Sequence, residues 1–139
     1  MKRSYILSIA AVIIALIIIS CIVVPFIFMG KPDPLFSMKN KDTISHQVMI
    51  EISDSKNNSI FKEVYMMDPE SEISQSKSAW LLLQLTFPPG NSKDLTIQVT
   101  ADNDLTEKTQ TGLQLWSMFD ITLFDENEES DISLGVIAV

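Results

Sequence analysis

The chain has 139 residues, 46% hydrophobic and 20% charged, with a net charge of −8, and this length holds one globular domain rather than two. The charge is uneven: residues 5–29 carry none, while residues 31–139 hold eight Lys and eighteen acids, a balance of −10, with no Arg, no Cys and a single His, His46. A surface this acidic has no basic patch to displace counterions from nucleic acid, and without Arg it has no guanidinium fork for phosphate or carboxylate.

A short charged tail (1–4) carries Lys2 and Arg3, and Tyr5 to Met29 is then an unbroken apolar run of 25 residues. As a helix the run extends roughly 37 Å against a hydrocarbon core of about 30 Å. Residues 5–29 are therefore expected to form a transmembrane helix, with the lipid bilayer as partner. The rival is a cleaved signal peptide, but a signal core has about 7–15 apolar residues, and Ile22 to Met29 prolong the run. Ile18-Ile19-Ser20-Cys21 resembles a lipobox, making Cys21 a lipidation candidate. Polar residues do not follow it, and the plain alternative is a small thiol in an apolar helix. Lysines flank both ends of the run, so the short N-terminal tail decides the expected orientation. It points to a signal-anchor in the cell membrane with the C-terminal domain outside.

Residues 30–42 read as a linker, since Pro32 and Pro34 disfavour helix before them. From residue 43 the period changes to two. His46, Val48, Ile50 and Ile52 fall on one face of a strand over 44–52. Turn formers Asp54 to Asn58 lead into a second strand over 60–66, giving a hairpin. Asp68-Pro69-Glu70 breaks it. Ala79 to Phe87 is nearly continuous apolar and reads as a strand buried in mid-sheet, ended by Pro88-Pro89-Gly90. Leu95, Ile97 and Val99 mark another strand, and Thr106 to Trp116 reads as strand or loop. Met118 to Phe124 and Ile132 to Val139 form a closing hairpin. The expected fold is thus an N-terminal single transmembrane helix followed by an all-β antiparallel sandwich over 43–139, immunoglobulin-like in the broad sense. Its expected core includes Trp80, Trp116, Phe119 and Phe124. Residues 40–139 are expected to fold alone as a soluble monomer.

The charged start, Ile-rich run, Pro-containing linker and strand pair His46-Gln-Val-Met-Ile-Glu-Ile-Ser-Asp54 to Tyr65 together resemble small membrane-anchored β-sandwich proteins of methanogenic archaea. The resemblance implies a fold and a location and no activity.

Catalysis finds few reagents here. A nucleophilic triad needs a base, and His46 lies on the apolar face of its strand. Copper and Cys/His zinc sites lack ligands, so no cofactor or metal is expected. Among the carboxylates, Asp102, Asp104, Asp125 and Asp131 are weak calcium candidates, as hard oxygen donors in two turns. No Asp-x-Asp-x-Asp-Gly loop supports them. Asn57-Asn58-Ser59 is the one Asn-x-Ser/Thr sequon, making Asn57 a glycosylation candidate at a hairpin tip. The expected function is a non-catalytic, extracytoplasmic module binding a protein partner at the cell surface, with no small-molecule ligand identified. The alternative is an accessory subunit of a membrane complex, touching its partner through the transmembrane helix.

Overall fold

The computed structural model describes residues 2–88, 90–125 and 131–138, excepting the side chains of 2–4, 21, 22, 25, 26 and 29. The chain divides into two compact units, Met1–Pro32 and Asp33–Val139.

The first unit holds helix α1, Lys2–Met29. Its apolar side chains from Tyr5 to Ser20 are exposed on every face, and Gly30, at φ 80°, follows its end in the left-handed conformation that glycine adopts freely. The transmembrane expectation is corrected here: among the described residues, no helix is long and apolar enough to cross a membrane. The expected signal-anchor and single-pass location rested on this span and are withdrawn with it. The Cys21 side chain lies outside the described residues.

The second unit is built from β1 (Phe36–Asn40), β2 (His46–Asp54), β3 (Ser59–Met67), β4 (Glu72–Gln75), α2 (Ala79–Thr86), β5 (Lys93–Ala101), β6 (Leu105–Leu113), β7 (Ser117–Leu123) and β8 (Ile132–Ala138). They form two four-stranded sheets, ordered β4-β1-β7-β8 and β3-β2-β5-β6. The two-residue periodicity acts as expected in the second sheet. Val48, Ile50 and Ile52 are fully buried and register against Ala101, Val99 and Ile97 of β5, also buried. The β2–β3 hairpin forms as expected, its turn held by the Asp54 Oδ1, which accepts from the backbone N–H of Lys56 and of Asn58. From the first sheet, Phe36, Met38, Phe119, Ile121 and Leu123 supply the opposing core layer. Each such side chain contributes roughly 1.5–3 kcal/mol on burial. The Phe36 ring meets Phe61 and Tyr65 of the other sheet edge-on, at centroid distances of 5.6 and 6.1 Å.

Four expectations about this unit are corrected. The stretch read as linker contains β1, which lies centrally in its sheet, antiparallel to β4 and parallel to β7. The sandwich is therefore mixed rather than wholly antiparallel. Two prolines mark a break in the chain, but the residues just after them, Leu35, Phe36 and Met38, are buried in the core.

The apolar run Ala79 to Phe87 is helix α2 with an extended end, not a central strand. The Ser78 hydroxyl accepts from the Leu81 N–H, an N-cap that starts the helix. Leu81 and Leu85, four residues apart, then share the buried face. Pro88 disfavours helix at Phe87, which ends it. Consequently Trp80 is not a core residue: it is 67% exposed. Phe119 is buried as expected, and Trp116 and Phe124 pack against the core while remaining half-buried.

Candidate functional site

Three constellations in the second unit bring polar or exposed apolar side chains together. The first centres on His46, at the start of β2 and 4% exposed. Its Nδ1 lies 2.6 Å from Asp102 Oδ2, and its Nε2 lies 3.0 Å from Asp42 Oδ2. Asp42 comes from the β1–β2 connection and Asp102 from the β5–β6 turn, whose second carboxylate oxygen accepts from the Gln47 N–H. The Phe124 ring stacks on the imidazole at 4.0 Å and 23°, a geometry that favours a cation. Asp102, Asn103 and Phe124 all sit in the left-handed backbone region, which is costly for a side chain as bulky as that of Phe124.

Burial works against a charged His46, but the hydrogen bonds that it donates to Asp102 and then Asp42 outweigh it and raise its pKa above the ordinary 6.5. The same bonds to His46 are the main reason that both carboxylates titrate below their ordinary value of 3.8. As an imidazolium, His46 donates from both nitrogens and has no lone pair left to act as a base. The cluster is a clasp tying three connections to β2. Its linkage signs bound a pH window. The raised His46 stabilises fully below 6.5 and loses its contribution as pH climbs through its folded value. The depressed carboxylates stabilise above 3.8 and lose theirs as pH falls through their folded values. The thermal midpoint is therefore expected to peak between these limits, and His46→Gln to flatten the alkaline limb. Thermal melts of the two proteins from pH 3 to 9 check this.

The second constellation surrounds Lys77, between β4 and α2 and 5% exposed. Its Nζ donates to four backbone carbonyls: Asp33 at 2.6 Å, Pro34 at 3.0 Å, Leu115 at 3.1 Å and Ser117 at 2.7 Å. Burial pushes its pKa down to about 8, opposed by the attraction of the Asp33 carboxylate. The carbonyl cage favours the ammonium, which alone offers three donors to these acceptors. Lys77 thereby pins the beginning of the unit and the β6–β7 connection to one point, and its nitrogen is not available as a nucleophile.

The third is the outer face of α2. Trp80 and Leu83, three residues apart, are 67 and 52% exposed, while Leu81 and Leu85 hold the opposite face in the core; Phe87, in extended backbone just past the helix end, is 37% exposed. The stripe stands on a fixed helix.

The calcium candidates Asp102, Asp104, Asp125 and Asp131 lie on two connections, β5–β6 and β7–β8. Asp102 is engaged by His46 and Gln47, and Asp104 closes the β5–β6 turn through its N–H to the Ala101 carbonyl. Asp125 and Asp131 flank the β7–β8 connection, where the Asp131 carbonyl accepts from the Phe124 N–H. Residues 126–130 of that acidic turn lie outside the described residues. Among the described residues, no group of three or more His, Cys, Asp or Glu is placed to hold a metal ion. Asn57 lies exposed at the β2–β3 tip with φ 60°, the backbone that Asn tolerates in turns.

Sequence reasoning placed His46 on the buried face and missed both its partners. Asp42, four residues earlier, was a visible signal; Asp102, 56 residues away, was not. Lys77 was missed entirely, since a lone Lys among serines carries no periodic mark. No family model matches this chain, and no curated protein matches it.

Proposed function

We propose that the β-sandwich is a non-catalytic binding module whose protein partner docks on the outer face of α2. The carrying observation is the pair of exposed side chains Trp80 and Leu83 on a helix anchored by Leu81 and Leu85, with the partly exposed Phe87 just past its end. Tryptophan and large apolar side chains on a rigid element are the usual energetic centre of a protein interface. The candidate catalytic groups support the same reading, because His46 and Lys77 are both committed to internal partners. The alternative of a membrane subunit contacting its partner through α1 fell with the membrane span.

Photo-crosslinking in native cells tests the reading. A photoreactive side chain at Leu83 is expected to yield one discrete protein adduct. The same group at Gln110, exposed on β6, is expected to yield none. Equal, diffuse labelling from both positions would refute docking at α2.

A further inference from the structure

His46 meets two carboxylates, and only the imidazolium serves both. A neutral imidazole has one N–H, and its other nitrogen is an acceptor. Loss of one proton therefore sets a nitrogen lone pair against a carboxylate oxygen, either Asp102 Oδ2 at 2.6 Å or Asp42 Oδ2 at 3.0 Å. Two acceptors have no bond to make, so the side that loses the proton is the side that opens.

The two sides are held differently. Asp102 is fixed to β2 without help from the ring: its N–H donates to the Gln47 carbonyl at 2.8 Å, and its Oδ1 accepts from the Gln47 N–H at 2.9 Å. Among the described residues, Asp42 reaches β2 through His46 alone. Its carboxylate otherwise accepts from Thr43, the next residue, its N–H donates to Asn40 Oδ1, and its carbonyl accepts from the Glu70 N–H at 3.3 Å. The Asp42 side chain is 31% exposed, so water replaces the ring as its donor. The remaining neighbours of His46 bring no competing charge. β3 sets Met67 opposite it, the Phe124 ring after β7 covers one face, and Asp68, on the β3–β4 connection, accepts from the Ser45 hydroxyl.

We infer that His46 is a one-sided, proton-operated catch: on deprotonation it keeps the Nδ1–H on Asp102 and lets go of Asp42, freeing the β1–β2 connection while the β5–β6 turn stays in place. The step moves one proton from Nε2 to solvent and breaks no other covalent bond. It falls above pH 6.5, because both carboxylates favour the charged ring. The freed stretch is Asp42 and Thr43. The Lys41 N–H on the Leu123 carbonyl and the Asn40 amide on the Ile44 carbonyl hold its two ends. The opening is thus local and leaves the sheets intact.

The test follows the wild-type full chain, labelled with nitrogen-15, in a non-ionic detergent that solvates the exposed apolar side chains of α1. His46 is the sole histidine, so its two ring nitrogens give a single titration by nuclear magnetic resonance. Through that titration, Nε2 is expected to move to the shift of an unprotonated nitrogen, and Nδ1 to keep that of a protonated one. Amide exchange is measured over the same pH range and corrected for its intrinsic rise with pH. Protection at the Asp42 and Glu70 amides is expected to fall about tenfold or more, while that at Gln47 and Asp102 holds within about twofold. A proton kept on Nε2, an equal loss of protection on both sides, or protection at Asp42 and Glu70 indifferent to the titration would each overturn the assignment.

Discussion

Replacing Lys77 with Met is expected to lower the stability of the sandwich by about 3 kcal/mol or more. Methionine fills much of the same volume but offers no donor. The carbonyls of Asp33, Pro34, Leu115 and Ser117 would lose the ammonium they share, and those of Leu115 and Ser117 face it in the buried interior. A buried acceptor left without a partner costs about 1–3 kcal/mol, and the two segments tied through Lys77 come free as well. Against a typical total of about 5–15 kcal/mol this is a large fraction, and it corresponds to a fall of more than about 10 °C in the midpoint for a domain of this size. Chemical denaturation of the two proteins reads it directly; a change below about 1 kcal/mol would mean that the cage is solvated and the pin dispensable.

A loss of about 3–5 kcal/mol is expected for Phe36→Ala, the range for removing a buried aromatic side chain. Phe36 is fully buried, pairs with Gln75 and Phe119 across its two neighbouring strands and meets Phe61 and Tyr65 of the opposite sheet. Deleting residues 33–40 goes further, since β1 separates β4 from β7 and its removal splits the first sheet. The expectation that residues 40–139 fold alone is thereby replaced: the folding unit begins at Asp33. Far-UV circular dichroism of chains starting at 33 and at 41 distinguishes the two, with strand signal expected only from the longer.

What the sequence made legible follows from which forces are local. Alternation in β2 and β5 announces itself because both strands bury one face and show the other, so Val48, Ile50, Ile52, Leu95, Ile97 and Val99 were readable one by one. Phe36 to Asn40 was not, because β1 is buried on both faces over most of its length and continuous burial erases the alternation. Ala79 to Phe87 misled for the opposite reason. A continuous apolar run suits a buried strand, yet here half of it faces outward, and the deciding signals were the Ser78 cap and the four-residue spacing of Leu81 and Leu85. The 25-residue apolar run read as a membrane span, but no helix among the described residues is long and apolar enough to cross a membrane. The clasp at His46 and the cage at Lys77 depend on partners up to 56 residues distant, and such contacts are set by topology rather than by any window of sequence.

The most direct test of docking at α2 is a titration of the full chain with the partner captured through position 83, comparing wild type with Trp80→Ala. Trp80 is 67% exposed, so its truncation is expected to leave the thermal midpoint within about 2 °C of wild type while weakening binding by about 2 kcal/mol, close to thirtyfold in Kd. An unchanged Kd, with the protein still folded, would contradict the claim that α2 carries the binding surface.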